Sequence, residues 1–138
     1  MQWSKKLSKT DAQQETKGGL MPFRFTNENC PGNFTTWFRE EFFNKLGWKD
    51  TTWRNYQQEE ADVAISVNIQ GEDLGQRIMK LTHAERRNKN NNAPATHLNF
   101  DEVTREYLQD NDMTGKEITI SRDDSTGGFE LVIEDSEP

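Results

Sequence analysis

Glu59-Glu60-Ala61-Asp62-Val63-Ala64-Ile65-Ser66-Val67-Asn68-Ile69 sets Ala61, Val63, Ile65, Val67 and Ile69 at every second position, with polar or small residues between them. A side-chain period of two sends alternate residues to opposite faces, so the stretch reads as a half-buried β-strand. Gly71 supplies a turn, and Gln76 to Leu81 continues with Ile78 and Leu81, which makes the two segments a hairpin.

Toward the C-terminus, Thr96 to Phe100 is a brief strand carrying Leu98 and Phe100, and Asp101 stands where a cap is wanted for a helix bearing Val103, Tyr107 and Leu108. That helix is expected to stop near Asn111. Lys116 to Arg122 and Gly128 to Ile133 alternate around Asp-Asp-Ser-Thr-Gly-Gly, a closing hairpin. Toward the N-terminus, the spacing of Trp37, Phe38, Phe42 and Leu46 predicts a helix over Trp37 to Leu46, capped by Thr36 and ended by a left-handed Gly47. Leu20 to Phe25, with Pro22 marking an edge, reads as a strand that ends near Thr26, and Trp3 to Leu7 reads as another. Roughly seven short strands and two short helices are the pattern of a small closed or nearly closed barrel, mainly β, with function expected in its connecting loops.

A chain of 138 residues fits one domain spanning 1–138. Hydrophobic residues are only 31%, but four Trp and eight Phe concentrate the burial that a core needs. No apolar run approaches the ~20 residues of a membrane span, and Met1 to Thr10 has no apolar stretch like a signal peptide, so a cytoplasmic location is expected. The single Cys30 reads as a reduced structural thiol. The net charge of -7 argues against indiscriminate nucleic-acid binding, yet it is unevenly spread. Ser121 to Pro138 sets Arg122 against Asp123, Asp124, Glu130, Glu134, Asp135 and Glu137, ending in an acidic tail at 134–138. Thr82 to Ala93 instead sets Arg86, Arg87 and Lys89 against Glu85 alone, a polarity suited to steering one face toward a polyanion.

Two long polar loops stand out, Ser8 to Gly19 and Thr82 to Ala95. The second joins cations to amides, the side chains that suit DNA: arginine pairs bidentately with guanine, Asn or Gln with adenine, and Lys holds phosphate. Its composition is equally that of a solvated basic loop. The first offers Thr10, Asp11, Gln13, Gln14, Glu15, Thr16 and Lys17, where an acid can accept from cytosine N4 and Gln can read adenine, but its composition fits an ordinary turn-rich loop better than a DNA-reading one. Catalytic chemistry finds little footing. His97 is followed by Leu98-Asn99 rather than by the x-Lys of a phosphodiesterase His-x-Lys, and no nucleophile elbow surrounds any Ser. Asp110-Asn111-Asp112 opens like a calcium loop, but its twelfth position is Ser121 where a bidentate Glu is required. The chain is therefore expected to be no enzyme by itself and to use no metal or cofactor.

Trp3-Ser4-Lys5-Lys6-Leu7-Ser8-Lys9-Thr10-Asp11-Ala12-Gln13, Gly19-Leu20-Met21-Pro22-Phe23-Arg24-Phe25-Thr26 and Thr36-Trp37-Phe38-Arg39-Glu40-Glu41-Phe42-Phe43 resemble the C-terminal domain of phospholipase-D-type restriction endonucleases, the BfiI and NgoFVII group. The Leu74-Gly75 hairpin, the Thr82-His83 loop start and Thr114-Gly115-Lys116 follow in the same order. The resemblance implies a seven-stranded open pseudobarrel of the DNA-binding type, similar to plant B-three domains and the EcoRII effector domain. Two arms would grip the major groove of double-stranded DNA, an N-arm at about 8–17 and a C-arm at about 83–92. DNA contacts are then expected from Lys5, Lys6, Lys9, Thr10, Asp11, Gln13, Gln14, Thr16, Lys17, Arg24, His83, Arg86, Arg87, Asn88, Lys89, Asn90 and Asn91. Among these, Arg86, Arg87, Asn88, Asn90, Gln13 and Gln14 would read bases, Lys17 and Lys89 would anchor phosphates, and Lys5, Lys6 and Arg24 lie within reach of phosphate. The resemblance also implies a prokaryotic restriction system with its nuclease domain in cis or in trans, and a monomer in isolation. Recognition of modified cytosine and a role as a protein-interaction module remain the alternatives.

Overall fold

The computed structural model describes residues 1–15, 22–53, 56–84 and 95–135. Its strands are β1 (Gln2–Lys6), β2 (Phe23–Arg24), β3 (Lys49–Trp53), β4 (Tyr56–Ile69), β5 (Glu72–Ala84), β6 (Ala95–Asn99), β7 (Glu117–Arg122) and β8 (Phe129–Glu134). Seven of them follow the path β1-β7-β8-β4-β5-β6-β2, and β3 joins from the side by pairing with β4. The sheet curls into an open pseudobarrel, mainly β with two short helices.

The alternating stretch quoted above is the middle of this sheet. Along β4, Ala61, Val63, Ile65, Val67 and Ile69 are buried, and each large aliphatic side chain contributes about 1.5–3 kcal/mol by leaving water. The hairpin to β5 turns on Gln70 and Gly71, with φ of 53° and 83°. Two consecutive left-handed residues make a type I′ turn, whose twist matches that of the paired strands. Past the turn, Val67 pairs with Gly75 and Asn68 with Asp73, so Leu74 is an extra, bulged residue. Gly75 takes φ 80°, the left-handed conformation that such a bulge asks of glycine. The other edge of β4 is divided: Tyr56–Glu60 pairs antiparallel with β3, and Ile65–Ile69 pairs parallel with β8. No element is expected from sequence over β3 (Lys-Asp-Thr-Thr-Trp), which has no apolar alternation to announce it.

The first helix departs from its expected bounds. Asn33, not Thr36, is the N-cap, its side chain accepting from the Thr35 amide at 3.1 Å, and helix α1 runs Phe34–Trp37. A π-helical turn over Phe38–Phe42 follows, closed where the Phe43 amide donates to the Phe38 carbonyl at 2.8 Å. The physical reason lies in the spacing of the aromatic pairs. Trp37-Phe38 and Phe42-Phe43 repeat at five residues, the bond spacing of a π turn, and widening the helix lets all four rings go inward. Gly47 does not take the left-handed conformation, because the helix has already ended at Phe43. Helix α2 (Glu102–Asp110) starts at Asp101 as expected, but the Asp101 carboxylate caps no amide; it lies 3.3 Å from Arg77 Nε.

Rings supply the core that the 31% hydrophobic content makes scarce. Phe38 is wholly buried, with its centroid 5.1 Å from Trp3, 4.5 Å from Phe25 and 5.0 Å from Trp37, and Phe129 closes the cluster against Phe42 and Phe43. The same rings bring the end strands of the path together, Trp3 of β1 packing edge-on against Phe23 of β2 at 6.0 Å. Side chains carry the seam between them: Trp3 Nε1 donates to the Glu28 carbonyl at 2.6 Å, Asn29 Nδ2 to the Ser4 carbonyl at 2.8 Å and Lys5 Nζ to the Arg24 carbonyl at 2.6 Å. Among the described residues no helix is long and apolar enough to cross a membrane.

Candidate nucleic-acid interface

The first loop leaves β1 and winds at once into a compact turn. The Ala12 amide donates to the Ser8 carbonyl, Gln14 to Lys9 and Gln13 to Thr10, at 2.9, 2.9 and 3.1 Å, while the Ser8 hydroxyl accepts from the Asp11 amide. The turn is locked from below by Lys5, whose ammonium lies 2.9 Å from the Asp11 carboxylate and 4.6 Å from the Phe23 ring centroid. One ammonium thus joins β1, the turn and, through the Arg24 carbonyl, β2. Both side chains of this ion pair are almost fully buried, at 4% and 8% exposure. Gln13 and Gln14 face the protein as well. Gln13, at φ 63°, turns its amide back to the Thr10 and Asp11 carbonyls, and Gln14 donates to the Leu108 carbonyl of α2 at 2.7 Å.

Lys6, Lys9 and Arg24 are exposed and Thr10 is half-buried, and among the described residues none of these three cations forms an ion pair. Their surroundings differ. Lys6 stands opposite Glu117, which itself pairs with Glu134, so its charge is locally offset. Lys9 has Asp112 in its field, a carboxyl held below its usual range by hydrogen bonds from Thr114 and, more weakly, by Lys9 itself. Arg24 projects from the short β2 beside His97 of β6.

That position links the two loops. The second loop leaves β5 and returns to β6 across the Ala84–Ala95 rung, and Arg24 is paired only two residues further along β6, roughly 7 Å away. A cross-strand row therefore runs Arg24, His97, Thr82, Glu60, Lys49 over one face of the sheet, with Lys80 bridging to Glu60 at 3.2 Å. His83, at the stem of the second loop, is buried and its Nδ1 lies 2.8 Å from the Thr96 hydroxyl across β5 and β6. Thr16 and Lys17 of the first loop, and Arg86, Arg87, Asn88, Lys89, Asn90 and Asn91 of the second, lie outside the described residues.

The acidic stretch from Ser121 onward is partly neutralised within the protein. Asp124 takes the N-terminal ammonium and Arg122, and Asp135 takes Lys116 and Gln70, each carboxyl being held below its usual range by those bonds. The Asp123–Gly128 turn adjoins Met1, a full strand of β1 away from the first loop. That is about 15 Å, beyond the ~8–10 Å over which exposed charges act at ordinary salt. Glu134 and Asp135, at the other end of β8, instead lie beside the first loop, next to Glu117 and to Lys116, whose carbonyl accepts from the Leu7 amide.

Lys5, Asp11, Gln13, Gln14 and His83 are thus drawn inward, and Lys6, Lys9, Thr10 and Arg24 face solvent or its edge. The inward placement of Lys5 has a sequence signal: it occupies the core phase of Trp3-x-Lys5-x-Leu7, a charge where alternation calls for an apolar residue. No three His, Cys, Asp or Glu side chains gather as a metal-ligand set among the described residues. Comparison with protein-family models, curated proteins and solved structures finds no match to this chain.

Proposed function

We propose that this chain is a sequence reader of double-stranded DNA, holding the major groove between its two polar loops. The observation that supports the reading most is the adjacency of the loop bases: the locked turn at Ser8–Gln14 and the Ala84–Ala95 stem are joined through Arg24 on β2. An exposed guanidinium between two loop bases on a rigid sheet is placed to fix register on a phosphate, and the loops supply base contacts. In this reading Arg24 and Lys9 anchor phosphates, with Lys6 contributing less because of Glu117. Thr10 and the second loop's Arg86, Arg87, Asn88, Asn90 and Asn91 read bases, Lys17 and Lys89 add phosphate contacts, and Lys5, Asp11, Gln13, Gln14 and His83 shape the scaffold.

The same reading makes the chain the target-recognition part of a cytoplasmic restriction endonuclease, with DNA hydrolysis assigned to a nuclease domain in cis or in trans. Selection from a randomised duplex pool at about 0.1 M salt, followed by titration of the winner against scrambled DNA, tests it. A short consensus bound roughly a thousandfold tighter than scrambled duplex is expected. Absence of enrichment, with weak binding that fades as salt rises, overturns sequence reading. Repeating the selection with methylated cytosine separates a modified-base reader from a reader of plain sequence.

A further inference from the structure

We infer that Lys5 and Asp11 are positioning residues of the DNA interface, a buried clip that sets the Lys9–Thr10 crest of the first loop in fixed register with Arg24. The inference rests on the DNA-binding reading and assigns within it a role that neither residue performs by touching DNA.

Three observations carry it. The ammonium of Lys5 makes its bonds to two separate segments, the Asp11 carboxylate at 2.9 Å and the Arg24 carbonyl at 2.6 Å, so moving either segment breaks a charged bond. Both partners are buried, which makes the pair intolerant of partial separation: a lone charge left in the apolar seam has no water to replace its partner. Finally, the residues on either side of Asp11 are committed to the same geometry, since the Ala12, Gln13 and Gln14 amides all donate back into Ser8–Thr10 and the Gln14 side chain fastens the loop to α2. Lys9 and Thr10 form the outer crest of that turn, and Arg24 is the residue whose own carbonyl is held. A buried ion pair does little for stability that an apolar pair of similar size would not also do, but unlike an apolar pair it is directional. Its yield here is the spacing of two exposed cations before DNA arrives, which lowers the ordering cost of binding.

Asp11→Asn and the double variant Lys5→Met/Asp11→Leu test the clip, each measured for melting temperature, for affinity to the selected duplex across a salt series, and for amide exchange of Ala12, Gln13 and Gln14 without DNA. Asp11→Asn is expected to bind the duplex at least tenfold more weakly, although it removes a negative charge. The slope of log K against log salt should fall by about 1 to 2, the signature of one or two lost phosphate contacts. The double variant is expected to melt at or above the parent temperature while keeping the weakened affinity and lowered slope. Tighter binding by Asp11→Asn, or recovery of affinity together with stability in the double variant, overturns positioning in favour of a repelling or merely structural role. If the parent protein itself selects no duplex, the DNA-binding reading fails, and the exchange measurement still decides the clip: faster exchange at Ala12, Gln13 and Gln14 in both variants supports it, and unchanged exchange overturns it.

Discussion

Arg39 meets Glu59 through two bonds, Nε to Oε1 at 3.0 Å and Nη2 to Oε2 at 2.8 Å, while its guanidinium lies 4.6 Å from the Trp48 ring centroid. The pair ties the π turn to β4 directly opposite His83, the residue at the stem of the second loop. It holds the Glu59 carboxyl below its usual range, chiefly by those hydrogen bonds, with smaller help from the charges of Arg39 and His83. A folded-state pKa below the unfolded one gives stability that is present above the ordinary carboxylate range and is lost as pH falls through the folded value. Melting temperature should therefore decline in acid, and Arg39→Ala should flatten that decline. At neutral pH the same variant should cost about 1–2 kcal/mol in a urea titration, from two charged hydrogen bonds at a partly exposed site and lost packing on Trp48.

The two possible caps of the first helix can be told apart by substitution. Asn33→Ala should destabilise the fold by about 0.5–2 kcal/mol, because it removes the acceptor of the Thr35 amide, whereas Thr36→Ala should change stability by less than about 0.5 kcal/mol. Chemical denaturation of both variants decides which residue caps the helix.

Phe38 is the ring on which the aromatic core turns, touching Trp3, Phe25, Trp37 and Phe42. Phe38→Ala should cost about 3–5 kcal/mol, a large part of the roughly 5–15 kcal/mol that holds such a domain. Phe34, 37% exposed one turn earlier, should tolerate alanine at about 0.5 kcal/mol or less. Thermal melts of the two variants give the contrast.

Arg24 and the second loop should fail in different ways. Arg24→Ala is expected to weaken selected and scrambled duplexes alike and to reduce the salt slope by about 0.9. Arg86→Ala or Arg87→Ala should cost about 1–3 kcal/mol on the selected duplex and relax preference at one base position. Titrations of each variant against both duplexes separate a phosphate anchor from a base reader. Equal affinity of all three variants with the parent removes these side chains from the interface.

Strands with one apolar face were legible from sequence. The Gly71 turn, the short strand at Leu98 and the closing hairpin appear within a residue or two of their expected places, because burial on one face imposes a period of two. The central hairpin is found but is longer than expected, β4 beginning at Tyr56 rather than Glu59 and β5 spanning Glu72–Ala84 rather than Gln76–Leu81, since the polar ends of the strands do not show that period. β3 was not legible, since its pairing runs along the edge of β4 and needs no apolar face. The first helix was misplaced because Trp37, Phe38, Phe42 and Phe43 fit a 3.6-residue and a wider period nearly equally, and only packing against Trp3 and Phe25 chooses between them. In the first loop, residue types suited to DNA were visible but their directions were not. Asp11, Gln13 and Gln14 could serve bases equally well, and what turns them inward is a lysine six residues before Asp11 and a carbonyl at Leu108.

The order β1-β7-β8-β4-β5-β6-β2 makes β7 the strand on which β1 forms its backbone ladder, and β8 reaches β4 in parallel, a pairing no tight turn can make. During synthesis the β4–β5 hairpin can form as it emerges, but β1 has no partner strand until residues 117–134 have left the ribosome. Such long-range closure makes for slow folding, and until β7 is made β1 is held by the ring contacts and side-chain bonds that Trp3 and its neighbours make to residues 23–38. The lysine clip joins residues 5, 11 and 24, yet the strand that carries Lys5 gains its backbone ladder only with β7, and a chain halted before β7 leaves that strand edge and the aromatic core beside it exposed to aggregation.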